Sequence, residues 1–239
     1  MRARLWALTI AAAGGIALTA ALGAWQLGRA QQKLALHAAI EEKKRLPALT
    51  GSALPAIENI ATQVHRQVVV QGSWVAGATV FLDNRQMRGR PGFYVVTPLR
   101  LQGSKAVVLV QRGWVPRNFV DRSQLPQVAS PADEVEVRGR IAPPPAKLYE
   151  FDGAPAGAIR QNLDLAAFRA ETGLPLLEFS LQQTGPASEG LLREWPEAAT
   201  GVEKHYGYAF QWWALSGLIT ILYVWFQFIA PRRRKAPHA

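Results

Sequence analysis

The sequence contains no cysteine, two methionines and four widely separated histidines. Without cysteine there are no disulfide bonds, no thiolate metal sites and no cysteine nucleophile. Methionine occurs only at Met1 and Met87, which argues against a methionine-rich copper(I) site. The sequence also has no Gly-x-Ser-x-Gly motif, no phosphate-binding loop and no helical zinc motif. We therefore expect a protein that is not an enzyme.

Charge is missing from two long stretches, one near each end of the chain. Neither Leu5–Gly28 nor Tyr206–Pro231 contains a charged residue, and each is longer than the roughly 20 residues that span a bilayer core. Their outer flanks carry only cations, namely Arg2, Arg4, Arg232, Arg233, Arg234 and Lys235. Because basic flanks stay in the cytoplasm, we expect two transmembrane helices with both termini cytoplasmic. The segment between about Arg29 and His205 would then face the opposite side.

The net charge of +10 is concentrated at these two ends. Without the six flanking cations, the chain has 21 Lys and Arg and 17 Asp and Glu, which gives a net charge of only +4 over its middle part. The flanks are typical of topology signals that contact anionic membrane lipids. The sequence therefore predicts no binding of nucleic acid.

The first apolar stretch has an alternative interpretation as a cleaved signal peptide. Its start is basic, and Ala21–Gly23 loosely resembles a cleavage site. The stretch is longer than a usual signal core, however, and it continues into Trp25 and Gln26, which suit a membrane interface. We therefore favour a retained transmembrane helix.

The middle of the chain is predicted to be rich in strands. A helix over Ala30–Arg45, ended by Pro47, leads into it. Runs of β-branched and aromatic residues predict strands at Val68–Trp74, Thr79–Asp83, Phe93–Leu101, Ala106–Val115, Glu134–Ile141 and Leu176–Leu181. A short helix over Leu163–Thr172 would be capped by Asn162 or Asp164 at its start and by Gly173 at its end. The expected fold is an antiparallel sheet or small barrel, within domains 1–28, 29–205 and 206–239.

Three clusters of aromatic, glycine and polar residues follow one another along this layout. They are Trp-Gln-Leu-x-Arg at Trp25–Arg29, Arg-Gly-Trp-Val-Pro at Arg112–Pro116, and His-x-x-Tyr-Ala-x-Gln-Trp at His205–Trp212. Their order and placement resemble the surfeit-locus family of cytochrome c oxidase assembly factors, and the resemblance covers the whole chain.

The resemblance implies a two-span protein that helps to build heme-copper oxidases, with bacterial members handling heme a. It implies the large oxidase subunit and other assembly factors as partners. It also implies a bacterial inner-membrane location with a periplasmic central domain, and a functional histidine at His205. The alternative is a membrane scaffold that docks oxidase subunits or other assembly factors and never binds heme.

The two membrane exits carry the residues that we predict to bind heme a. His205 and Trp212 are seven residues apart, which places them on one helix face about 10 Å apart along the axis. Trp25, Gln26 and Arg29 leave the first span at the same level. A neutral imidazole coordinates heme iron, arginine pairs with a propionate, and aromatic rings form apolar walls. His205 is the predicted iron ligand. The alternative is an ordinary membrane interface, where Trp and Tyr partition without a ligand.

A second candidate lies in the predicted loop between Asp83 and Phe93. Its three cations, Arg85, Arg88 and Arg90, are expected to grip a propionate or an acidic partner surface. The alternative is a solvated hairpin connection. For the following Arg-Gly-Trp sequence we expect a structural role, with Trp114 in the core and Arg112 capping an edge.

Overall fold

The computed structural model describes residues 2–118, 120, 124–149, 157–196 and 201–234, without the side chains of Arg233 and Arg234. Helices in these ranges are α1 Arg2–Arg45, α2 Leu165–Thr172, α3 Val202–Val224 and α4 Ala230–Arg234. Strands are β1 Leu49–Thr50, β2 Gln67–Trp74, β3 Val80–Met87, β4 Arg90–Leu101, β5 Val107–Pro116, β6 Val135–Ala142, β7 Ile159–Arg160 and β8 Leu176–Gln183. The contacts divide the chain into a helical unit, residues 2–39 and 201–234, and a β unit, residues 40–196. The predicted domain boundaries stay predictions.

Two helices of the described chain are long and apolar enough to cross a membrane. They are α1 and the helix from Val202 to Arg232, which runs through α3 and a wider π-helical turn at Trp225–Ile229. Only 6% and 0% of their apolar windows are buried, so neither is the core helix of a globular fold. As predicted, α1 extends well beyond the first apolar stretch and ends just before Pro47.

The two long helices pack antiparallel within the helical unit. Contacts pair residues farther along α1 with residues earlier in α3: Thr9 with Tyr223, Ile16 with Ser216, Ala20 with Trp213, and Gln26 with His205. Each of these four pairs is joined by a hydrogen bond. In three of them a side-chain hydroxyl or amide group takes part. This order of contacts places Gln26 and His205 at the same level of the helix pair.

The β unit is built around a closed barrel of five strands. Each strand is hydrogen-bonded to the next in the order β2, β6, β8, β5 and β4, and β4 returns to β2. Closure depends on the 12-residue β4, whose first half pairs with β3 and whose last residues pair with Gly72–Trp74 of β2. A Cβ at Gly72 would overlap the carbonyl oxygen of Arg100, so this crossing requires glycine.

The barrel has apolar side chains on both faces of its central strand. In β5, Val108 and Val110 belong to the interior cluster, whereas Val107 and Leu109 pack outward beneath α2. This two-sided burial explains the continuous apolar run in β5. Asp164 caps α2 by accepting from the backbone of its first turn, and Gly173 ends the helix with φ 67°.

The predicted strands and the short helix are confirmed, with ends shifted by a few residues. The antiparallel pattern is only partly right, because β5 pairs parallel with β8, and β1–β2 and β3–β7 are also parallel. The predicted loop from Asp83 to Phe93 is wrong. β3 continues to Met87, a two-residue turn follows at Arg88 and Gly89, with φ 52° and 73°, and β4 begins at Arg90. A tight turn with two left-handed residues is a hairpin connection.

Candidate cofactor site

His205 and Gln26 are joined by a hydrogen bond between the two long helices. Nδ1 of His205 lies 2.7 Å from Oε1 of Gln26. An amide oxygen only accepts, so this bond places the ring proton on Nδ1. Nε2 then carries the lone pair, and it forms no hydrogen bond with any described residue. A histidine held in this way through one nitrogen and open at the other has the arrangement found in metal-ligating histidines.

Local sequence explains why His205 points toward α1. Gly201 adopts a left-handed φ of 49° and α3 begins at the next residue, so His205 is in the first turn of the helix. The imidazole is half-buried rather than fully solvated. The helix therefore begins early enough to include His205 together with Trp212.

The two neighbouring tryptophans of α3 have different surroundings. Trp213 lies over Gly23 and donates from Nε1 to the carbonyl of Ala20 at 3.3 Å, so it packs the two helices together. Trp212 is half-buried and shares the face of His205, one heptad away. Trp213 thus makes a packing contact between the helices, and the role of Trp212, or of Trp213 beside it, at a heme stays a prediction.

Trp25 and Arg29 lie on the same helix as Gln26. Trp25 is 58% exposed, like other large apolar side chains on the two long helices, such as Trp6 and Phe210, so its surface is open. Arg29 is exposed and donates to Oε1 of Gln32 at 3.1 Å. Within the described chain it has no carboxylate partner, so its guanidinium is open to an anion. The residues of the helical unit thus fit a heme group chemically: a nitrogen ligand, a cation and exposed aromatic rings.

The three arginines predicted to act together in a loop lie instead on a β-hairpin of the other unit, and they differ sharply. Arg85 is in β3 and only 6% exposed. Arg88 occupies the turn and forms a two-point ion pair with Glu194, including Nε to Oε2 at 2.6 Å. That contact raises the pKa of Arg88 and lowers the pKa of Glu194. Arg90 begins β4 and is exposed. The alternative of a hairpin connection is therefore confirmed, although Arg85 is buried rather than solvated, and binding of a propionate or an acidic partner by these arginines stays a prediction.

Arg112 does not cap an edge, as the sequence suggested, but is completely buried. Its Nη2 lies 2.6 Å from Oε2 of Glu189 and 2.6 Å from the carbonyl of Ala129, and its guanidinium stacks 4.3 Å from the centre of the Trp74 ring. The expected core position of Trp114 is confirmed, with 2% exposure. Its Nε1 donates to the carbonyl of Arg85 at 2.9 Å and so fixes the β3–β5 spacing across β4.

Sequence reasoning missed the partners of these arginines. Tyr94 lies under Arg85, and Trp195 packs against Tyr94 with ring centres 5.1 Å apart. Glu189 and Glu194 come from the segment after β8, about 75 to 105 residues beyond the arginines that they contact. No local pattern signals such distant pairs.

Within the described ranges, no three His, Asp or Glu side chains lie together in a group that could hold a metal ion.

Comparison with known proteins places this architecture of two long apolar helices and a barrel in a family. The SURF1 family matches residues 13–217, well over half of the chain. The chain therefore belongs to the SURF1 family.

Individual relatives are distant but cover much of the chain. A "SURF1-like protein" of Rickettsia bellii is 25% identical over 212 residues, which are 84% of this chain and 83% of that protein. The "Cytochrome oxidase assembly protein SHY1" of Saccharomyces cerevisiae is 28% identical over 131 residues, 52% of this chain and 32% of the yeast protein. The "Surfeit locus protein 1" of Arabidopsis thaliana is 29% identical over 118 residues, 45% of this chain and 33% of that protein. The matches to the yeast and plant proteins thus span about a third of their length.

Proposed function

We propose that this chain is a non-catalytic assembly factor for a heme-copper cytochrome c oxidase. Support comes from membership in the SURF1 family and from the name of the yeast relative, an assembly protein for cytochrome oxidase. The sequence contains no Gly-x-Ser-x-Gly motif and no phosphate-binding loop. The chain would then act by binding and presenting, with the large oxidase subunit and other assembly factors as its partners.

The proposed cargo is heme a, held where the start of α3 packs against the middle of α1 around Gln26. Nε2 of His205 would ligate the iron, Arg29 would pair with a propionate, and Trp25 and Trp212 would flank the porphyrin. The observation that carries this proposal is the 2.7 Å bond between His205 and Gln26, because it orients the ring and leaves Nε2 as the open nitrogen.

The proposed location follows from the two apolar helices and their basic flanks. Both helices would cross the bacterial inner membrane, with the termini in the cytoplasm and the β unit in the periplasm. Heme held at the outer membrane surface would be available to a nascent oxidase subunit in the same bilayer.

The test is to express the full chain in cells that make heme a, purify it in detergent and record the heme spectrum. We expect stoichiometric heme a in the wild type and its loss in His205→Ala. His37→Ala is the matched control, since His37 is an exposed histidine of the same helical unit and should leave the spectrum unchanged. Binding that survives His205→Ala would remove the ligand assignment. Co-purification of an oxidase subunit without any heme would instead support the scaffold function.

A further inference from the structure

Arg85 is a buried cation that no carboxylate of the described residues neutralises. It is 6% exposed, and its one hydrogen bond runs from Nη2 to the carbonyl oxygen of Gln161 at 2.9 Å. Its Nε is buried without a hydrogen-bond partner, as are those of Arg112 and Arg117, so the missing counter-ion is what sets Arg85 apart. Among the described residues no carboxylate lies within ion-pair distance of its guanidinium. Burial accordingly lowers the pKa of Arg85.

Arg112 shows how this fold treats a buried arginine that serves structure alone. Glu189 supplies its counter-ion, and Ser130 and Ala129 accept two more hydrogen bonds. Arg117, a third arginine close to the barrel, is paired with Asp83. Burying a charge is costly unless it is paired, so Arg85, which has no counter-ion among the described residues, is a candidate to receive one from a ligand.

Tyr94 adds a second polar group at the same place. The guanidinium carbon of Arg85 lies 5.8 Å from the centre of the Tyr94 ring. The Tyr94 hydroxyl makes no hydrogen bond to a described residue, and burial raises the pKa of Tyr94, so the hydroxyl stays protonated and able to donate. Trp195 covers the other side of the ring with an edge-on contact. Tyr94 itself is only partly buried, so part of this residue is accessible from solvent.

We propose that Arg85 and Tyr94 form a binding site for a carboxylate group of a ligand. A carboxylate has two oxygens, one for the guanidinium and one for the hydroxyl, and its single charge balances the one arginine. A phosphate dianion would carry a second charge for which the site has no cation, because Arg88 is already occupied by Glu194. The site belongs wholly to the β unit and stands whether or not heme binds to the helical unit.

The first test measures thermal unfolding of the full chain in detergent, with sodium acetate as the probe and sodium chloride at equal ionic strength as the reference. At tenfold excess over its dissociation constant, acetate should raise the midpoint by roughly 3–6 °C. The rise should vanish in Arg85→Leu, shrink in Tyr94→Phe and persist in Arg100→Leu, an exposed arginine of β4. A rise in wild type that Arg85→Leu and Tyr94→Phe leave unchanged would overturn the site, as would no rise at all. A larger rise with inorganic phosphate would overturn the choice of carboxylate.

The same variants give a readout that does not need a ligand. In buffer without carboxylates, Arg85→Leu removes a buried cation that has no counter-ion, so its midpoint should equal or exceed that of the wild type. If Arg85 were only a structural residue satisfied by buried water, Arg85→Leu would lower the midpoint, and the proposal would fail. Should Arg85→Leu not fold, Tyr94→Phe decides the question by its acetate response alone.

The source of the carboxylate is separated by two further probes. Protoporphyrin IX and its dimethyl ester differ only in their free propionates, and an Arg85-dependent preference for the free acid assigns the site to a porphyrin propionate. An Arg85-dependent shift with a short Asp-rich peptide, but not with protoporphyrin, assigns it to an acidic protein segment. Binding of both probes without dependence on Arg85 contradicts the proposal. Failure of heme binding at His205 would leave every one of these outcomes unchanged.

Discussion

Gly23 of α1 lies directly beneath the indole ring of Trp213 on α3. A side-chain carbon at position 23 would overlap the ring, so the absence of a Cβ allows the two helices to approach. The indole Nε1 then reaches the Ala20 carbonyl, one turn earlier on α1. Small residues serve helix packing in this way where no hydrophobic effect drives association.

Gly23→Leu should therefore separate the two helices at this level, at a cost of about 1–3 kcal/mol for overpacking. Because the chain has no cysteine, a pair of cysteines placed at Ile16 and Ser216 reports the helix contact through the yield of disulfide formed. We expect a severalfold lower yield with Gly23→Leu. Gly14→Leu is the control, since nothing lies within 4 Å of a Cβ at position 14. Equal yields in both variants would contradict the packing role of Gly23.

Gln26 is expected to control heme binding without touching the heme. Gln26→Leu removes the acceptor for Nδ1 of His205, so the ring loses its orientation, and heme affinity should fall about 10–100-fold. Gln26→Glu restores an acceptor and should retain binding. The measurement is a spectral titration of heme a in detergent, with Gln31→Leu, an exposed position on α1, as control. Unaltered affinity in Gln26→Leu would mean that the bond has no part in presenting Nε2.

Much of the fold could be predicted because its signals are local. The charge-free stretches, the run Val107–Val110 and the caps Asp164 and Gly173 each fix an element by nearby residues. The prediction of a loop around the three arginines was wrong because Asp, Asn, Gly and Pro are typical of loops. In the structure these residues lie within a hairpin, at a bulge in β3 near Asn84 and at the following turn.

The candidate site likewise has features that could be predicted from the sequence and features that could not. The equal level of Gln26 and His205 follows from helix length and the antiparallel arrangement, which the two spans dictate. The burial of Arg85 and Arg112 depends on Gln161, Glu189 and other residues far away in sequence, whose approach only barrel closure creates. Tertiary contacts of that kind leave no periodic pattern in the sequence.

The buried pair of Arg112 and Glu189 should carry much of the stability of the β unit. Glu189→Gln keeps the side-chain size but leaves Arg112, which is fully buried, without a counter-ion, so we expect a loss of about 3–5 kcal/mol. The matched control is Glu136→Gln, which breaks the exposed pair with Arg138 and should cost no more than about 1 kcal/mol. Denaturant unfolding of the full chain, followed by near-ultraviolet circular dichroism of Trp74 and Trp114, measures both. Similar losses in the two variants would refute the importance of burial.

We expect His65 to make the stability of the β unit depend on pH. It is half-buried, adopts a left-handed φ of 74°, and donates its backbone N–H to the carbonyl of Ile141 at 2.9 Å. Burial is the main cause that lowers its pKa below 6.5, and the nearby Arg140, Lys44 and Lys43 lower it further. Well above pH 6.5 the imidazole is neutral in both the folded and the unfolded chain, so its protonation does not affect the free energy of unfolding.

As the pH falls below 6.5, the unfolded chain binds the proton first, so stability is lost until the pH passes the lowered pKa of the folded state. His65→Asn should remove this loss, because asparagine tolerates the left-handed backbone and does not titrate. Unfolding temperatures at about pH 7.5 and 5.5 should therefore differ less in His65→Asn than in the wild type. His37→Asn, at an exposed position of α1, should keep the wild-type difference. A pH response that survives His65→Asn unchanged would place its origin in another group.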